Sequence, residues 1–103
     1  MKVEINNKHL VELYEKGTSR KYRLSQQVIN KFFMRMRQLE ASYTIYDLRK
    51  TPSLNFEKLE GYTNRYSIRL TISWRLEFEI IWENQEKTIG KIIVVELSKH
   101  YGD

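Results

Sequence analysis

The stretch that decides the fold is Tyr66-Ser67-Ile68-Arg69-Leu70-Thr71-Ile72-Ser73-Trp74-Arg75-Leu76-Glu77-Phe78-Glu79-Ile80-Ile81-Trp82. Apolar side chains recur at every second position on both sides of residues 71–73. Tyr66, Ile68 and Leu70 form one set, and Trp74, Leu76, Phe78, Ile80 and Trp82 form the other. A period of two is that of a strand, whose side chains alternate between the two faces of a sheet. Both sets must reach one core, so the connecting loop has an odd length, most simply Thr71-Ile72-Ser73. That register sets Leu70 opposite Trp74, Ile68 opposite Leu76 and Arg69 opposite Arg75. The loop contains neither Gly nor Asn, the residues that tight hairpins prefer.

The polar face of this hairpin then carries two arginines side by side. Like charges directly opposite on a sheet are unfavourable. Two adjacent guanidiniums, each with planar bidentate donors, form a natural clamp for a phosphate. The competing reading is that Glu77 and Glu79 on the same face neutralise the pair, or that solvent screens it.

Working outward toward the N-terminus, Val28, Phe32, Met36 and Leu39 fall on one stripe at helical spacing, widened by Ile29 and Phe33, with Ser25 placed to cap. Lys31, Arg35, Arg37 and Gln38 lie away from that stripe; a solvated helix face accounts for its three basic residues better than direct nucleic-acid contact. A shorter helix carries Leu10, Leu13 and Tyr14, with Gly17 as its stop. Thr18 to Arg23 reads as a basic loop. Thr44-Ile45-Tyr46-Asp47 fits a capping box that opens one helical turn, ended by Arg49-Lys50-Thr51-Pro52. Leu54 to Gly61 is a connection or an edge segment. Toward the C-terminus, Glu83 to Lys87 is a polar turn and Ile89 to Leu97 a third strand. The expectation is an α+β fold, with two N-terminal helices packed on an antiparallel sheet in one domain over residues 1–103.

With 103 residues, 41% of them hydrophobic and 13% aromatic, the chain can bury a modest core of its own. It has no cysteine, which excludes disulfides, thiolate metal sites and a Cys nucleophile. Met1 to Asn6 run into charge rather than a long apolar region, and no apolar run approaches the about 20 residues of a membrane span. A cytoplasmic protein with no membrane partner is expected. Lys and Arg number 18 against 13 Asp and Glu, a net charge of +5, and nucleic acid is the usual partner of so basic a domain.

The chain ends Val95-Glu96-Leu97-Ser98-Lys99-His100-Tyr101-Gly102-Asp103. Metal-free RNA cleavage needs a group to take the 2′-hydroxyl proton, one to steady the anionic phosphorus and one to protonate the leaving oxygen. A Lys-His-Tyr cluster offers such groups, since His titrates near neutrality and Tyr can stack on a base. Position alone favours a frayed polar terminus instead. The other histidine, His9, is better read as a surface or packing residue. Two distant histidines with no cysteine match no metal-ligand spacing, and the isolated glycines form no phosphate loop, so neither a metal nor a cofactor is expected.

Phe56-Glu57-Lys58-Leu59-Glu60-Gly61, Tyr66-Ser67-Ile68-Arg69-Leu70, Trp74-Arg75-Leu76-Glu77-Phe78 and the terminal Leu97-Ser98-Lys99-His100-Tyr101 together resemble the HigB-like toxins of the RelE/ParE superfamily, also described as plasmid-maintenance killer proteins. That family's pattern has a Leu-x-Gly, a Ser-Ile-Arg strand, an aromatic-Arg-hydrophobic-x-Phe strand and a C-terminal His/Tyr cluster. The resemblance covers essentially the whole chain. It implies a type II toxin that cleaves messenger RNA on the ribosome and is held by a helix-turn-helix antitoxin. It carries Arg75, His100 and Tyr101 over as catalytic residues, and Lys58, Arg65, Arg69 and Lys99 are the cations expected to bind RNA. The sequence departs from the family where some members end Asp-Tyr-His, and where some place a His before the Leu-x-Gly; Glu57 stands there and is a candidate base. Other readings are a ParE-like inhibitor of DNA gyrase and an RNA-binding module without chemistry.

Overall fold

A computed structural model describes residues 1–99 and contains the expected hairpin in the expected register: β3 (Arg65–Arg69) pairs antiparallel with β4 (Trp74–Trp82), with Ile68 opposite Leu76 and Arg69 opposite Arg75. The loop closes without a special residue because Thr71 supplies the missing bonds. Its hydroxyl accepts from the N–H groups of Ser73 at 3.3 Å and Trp74 at 3.2 Å, while the Leu70 N–H donates to the Trp74 carbonyl at 2.9 Å. A side-chain oxygen that mimics a backbone turn in this way makes glycine unnecessary.

β4 is the centre of the sheet. β5 (Gly90–Lys99) pairs along its other side, and β2 (Glu57–Lys58) adds a two-residue edge beyond β3. Gly90 is required where β5 begins opposite Trp82, since a Cβ there would lie 2.6 Å from a methyl of Ile80 and 2.7 Å from the Ile81 carbonyl oxygen.

The sheet is mixed rather than antiparallel. β1 (Val3–Ile5) joins β5 in parallel, giving the order β1-β5-β4-β3-β2. Three residues between Lys2 and Asn6 carry too little alternation to announce a strand, and the partner lies at the far end of the chain.

Between Glu77 and Phe78 the register with β5 shifts, so that Glu77 faces Glu96 while Phe78 faces Val94. The extra residue, Val95, is a bulge. Without it the alternation Ile92, Val94 would turn Glu96 into the core; with it Leu97 is buried and Glu96 is exposed. The Val95 carbonyl accepts from Asn7 Nδ2 at 2.9 Å, and Asn7 Oδ1 accepts from the N–H groups of His9 and Leu10 at 3.0 and 3.2 Å. One asparagine thus caps α1 (Lys8–Lys16) and ties it to the bulge. Gly17, at φ 76°, ends that helix in the left-handed conformation.

α2 (Gln26–Ala41) starts where expected, with Ser25 Oγ accepting from the Val28 N–H at 3.3 Å. Val28, Phe32, Met36 and Leu39 join Ile68, Leu76 and Phe78 in one buried core. α3 (Ile45–Arg49) forms at the expected box: the Asp47 carboxylate accepts from the N–H groups of Thr44 at 3.1 Å and Tyr43 at 2.8 Å. Those backbone donors, with Lys50 nearby, hold the Asp47 carboxyl below the usual carboxylate range. A short 3-10 turn follows at Pro52–Leu54. Among the described residues, no helix is long and apolar enough to cross a membrane.

Arg35 corrects the expectation of an outward, cationic α2 face. It is 5% exposed, and its guanidinium donates to the carbonyls of Arg69 at 2.8 Å and Ser53 at 3.1 Å and to Gln38 Oε1 at 2.7 Å. Burial lowers its pKa below the ordinary arginine value, yet an arginine stays charged, so each of those acceptors is needed.

Two stability outcomes follow from this packing. Phe32 is fully buried, so Phe32→Ala should cost about 3–5 kcal/mol in urea unfolding. Arg35→Met keeps the apolar stem but strands the Ser53 and Arg69 carbonyls; an unfolding midpoint lowered by the equivalent of about 1–3 kcal/mol is expected for each left unsatisfied.

Candidate functional site

The face of the sheet turned away from the helices holds Glu57, Arg65, Arg69 and Arg75 among the residues to which the sequence drew attention. Register alone places Arg69, Arg75 and Ser98 in one row, and Ser67, Glu77 and Glu96 in the next, with Glu57 on the β2 edge beside Ser67. The face is less open than strand alternation implies, since Ser67 is fully buried and Arg75 is 4% exposed.

Arg75 is held on several sides. Its Nε donates to Ser67 Oγ at 2.9 Å and its Nη2 to the Asn55 carbonyl at 2.8 Å, and Nη2 lies 3.3 Å from a carboxylate oxygen of Glu57. Asn55 delivers that carbonyl from a left-handed backbone conformation, φ 46°, which asparagine tolerates better than most residues. Glu57 is itself 46% exposed, so the buried guanidinium reaches solvent through a carboxylate. Neither Ser67 nor Asn55 was singled out in the sequence. The signal for Ser67 was available, since it stands between two strand residues opposite Glu77; Asn55 carried none, because its role is played by a backbone carbonyl.

The opposed arginines are therefore relieved unequally. Arg75 is satisfied by Ser67, Asn55 and Glu57, whereas Arg69 is only partly buried and has no ion-pair partner among the described residues. Glu77 and Glu79, the expected neutralisers, serve Arg65 instead. Arg65 lies 2.9 Å from Glu77, 3.7 Å from Glu79 and 3.6 Å from Glu96, with its guanidinium 4.5 Å from the Tyr62 ring centroid. Its Nε has no hydrogen-bond partner among the described residues. Three glutamates on one arginine leave this part of the face acidic, so of the four expected RNA-binding cations Arg65 offers the least charge to a ligand.

Lys58 pairs with Tyr66 in the register, which puts it on the opposite side of β2 from Glu57. Lys99 is exposed at the end of β5, opposite Trp74, with its ammonium 5.4 Å from the indole centroid. His100 and Tyr101 lie outside the described residues. Among the described residues, no three His, Asp or Glu side chains are placed to hold a metal ion.

What this face can do is bind an anion at a fixed place. Arg69 and Arg75 are adjacent, the second aimed by its own hydrogen bonds, and a carboxylate able to accept a proton stands 3.3 Å from it.

Comparison with known proteins agrees with the fold. No curated protein matches the sequence. Among solved structures, the chain is similar to the YoeB/ParE toxin from Agrobacterium tumefaciens, with a TM-score of 0.57 and 17% identity over 98% of this chain and 100% of that one. At that identity the likeness is one of fold. Over residues 3–92 the sequence matches the HigB-like toxin family, described as the RelE-like toxin of the type II toxin-antitoxin system HigB, and the chain belongs to that family.

Proposed function

We propose that this toxin is an endoribonuclease that cuts messenger RNA on the ribosome, by attack of a ribose 2′-hydroxyl on the adjacent phosphate at the Arg69–Arg75 row. The observation that carries the reading is the buried Arg75 guanidinium at 3.3 Å from the half-exposed Glu57 carboxylate, in the row that Ser98 completes on β5, two residues before His100 in the sequence. A family of type II toxins implies an antitoxin partner, in this reading a helix-turn-helix protein, and the cytoplasm as the place of action.

In the reaction the 2′-oxygen loses its proton to a base and bonds to phosphorus. The bond from phosphorus to the 5′-oxygen breaks, and an acid protonates that oxygen, leaving a 2′,3′-cyclic phosphate and a 5′-hydroxyl. Arg75 and Arg69 stabilise the charge that gathers on the phosphoryl oxygens, where charge-assisted, bidentate donors are strongest. An incoming phosphate competes with Glu57 for Arg75, and exchange of the two frees the Glu57 carboxylate to accept a proton. His100 carries the remaining proton transfer, and Tyr101 stacks on a base. Lys58, Arg69 and Lys99 make phosphate contacts. Arg65 neutralises glutamates that would otherwise repel the RNA. No step is routed through a metal.

Long-range attraction comes from elsewhere. Lys16, Arg20, Lys21 and Arg23 are all exposed, and among the described residues only Arg20 of the four has an ion-pair partner, Glu12 at 3.9 Å. Ribosome binding, measured by co-sedimentation, should therefore weaken steeply with salt.

Single-turnover cleavage of a programmed ribosome complex tests the chemistry. Arg75→Ala should lower the rate about 10²–10³-fold at every pH, as loss of an electrostatic stabiliser does. His100→Gln should lower it about 10²–10⁴-fold and remove a limb of the pH–rate profile near neutrality, with ribosome binding retained. Wild-type rates for His100→Gln would move the proton work to Glu57 or Tyr101. Mapping transcript ends after induction checks the class: discrete new 5′ ends are expected, and DNA damage without them would indicate inhibition of gyrase.

A further inference from the structure

On the helix side of the sheet, past the β2 edge, a groove of about 650 Å³ opens between α3, β2 and the turn from β4 to β5. That is within the about 300–1,000 Å³ of pockets that hold small ligands. Its floor is aromatic. Phe56 and Tyr66 stack with centroids 5.5 Å apart and planes 6° from parallel, and Trp82 stands edge-on to Tyr66 at 6.2 Å. Tyr46 borders the groove from α3 with 58% of its surface exposed.

Three cations ring this floor. Arg49, Lys58 and Lys87 are exposed, and none has an ion-pair partner among the described residues, whereas nearby Lys50, Arg65 and Arg75 all do. Lys87 stands in a left-handed backbone conformation at the turn, φ 56°. The Tyr66 hydroxyl and the Trp82 indole N–H make no hydrogen bond among the described residues, and neither is sealed from solvent. Two carboxylates, Glu57 and Glu86, also line it. The groove thus combines flat rings, two unused polar tips and cations that outnumber the carboxylates three to two.

We infer that this groove is a subsite for one unpaired nucleotide of single-stranded RNA, the base on the aromatic floor and the flanking phosphates on Arg49, Lys58 and Lys87. Aromatic platforms beside a cationic track are how proteins hold single strands. The flat floor favours a base over an acidic peptide, and three separated cations suit successive phosphates better than one carboxylate. The inference rests on the nuclease reading and says where a neighbouring nucleotide sits. Glu57 lines the groove and also meets Arg75 at 3.3 Å, so it stands at the border of both sites. The strand between them is only two residues long, and an RNA strand can cross it.

The chain has two tryptophans, so its indole N–H signals in a ¹⁵N-labelled sample are readily assigned with Trp74→Phe. Titration with a short oligoadenylate should shift the Trp82 signal. Tyr46→Ala should weaken that binding roughly five- to a hundredfold, the range for loss of one stacking ring. Lys58→Ala with Lys87→Ala should weaken it and flatten its salt dependence. A Trp82 signal unmoved at saturation would overturn the inference. So would an equal shift with polyglutamate, which would mark the groove as a docking site for an acidic peptide. Cleavage of ribosome-bound message is read separately. A protein that cuts while Trp82 stays unmoved loses the groove alone; one whose groove fills but which cuts nothing loses the nuclease reading.

Discussion

A guanidinium folded into a sheet has to be satisfied by whatever the chain can bring to it, and in this protein the demands of Arg75 organise the whole edge of the fold. Ser67 meets it from the neighbouring strand, and the segment after α3 is drawn over the sheet to supply the Asn55 carbonyl and the Glu57 carboxylate. Arg35 holds the same segment from the helix side through the Ser53 carbonyl, and the same guanidinium takes the carbonyl of Arg69. Residues 53–57 are therefore clasped between two buried arginines, one from α2 and one from β4. Removing one partner from such a network leaves a buried charge or carbonyl unpaired, which costs more than the bond itself contributes.

That clasp also governs the chemistry available at the surface. A charged group fixed by hydrogen bonds does not have to reorganise when a ligand arrives, which is what electrostatic stabilisation of a transient charge requires. Arg75 is aimed in this way, and its neighbour Arg69 is held through its backbone by Arg35 while its own charge stays unpaired among the described residues.

The distribution of charge divides the work. The sheet face carries three arginines, Arg65, Arg69 and Arg75, and four glutamates, Glu57, Glu77, Glu79 and Glu96, so it attracts no polyanion from a distance. The excess of positive charge sits instead on the loop through Arg20 and Arg23 and around the aromatic groove. Exposed cations of that kind act over about a Debye length and bring a polyelectrolyte to the surface.

The sequence by itself determined the β3–β4 register, the α2 core stripe, the caps at Ser25 and Asp47 and the family resemblance. Each is a local pattern: a period of two or of 3.6, or a side chain bonding within a few residues of itself. Tertiary structure alone decided the parallel β1, the bulge at Val95, the inward turn of Arg35 and the assignment of Glu77 and Glu79 to Arg65 rather than to the Arg69–Arg75 pair. In every one of those cases the partner is distant in the chain or is a backbone carbonyl. The chain's local patterns cannot tell which of several equivalent charges folding will bring within hydrogen-bond reach of such a partner.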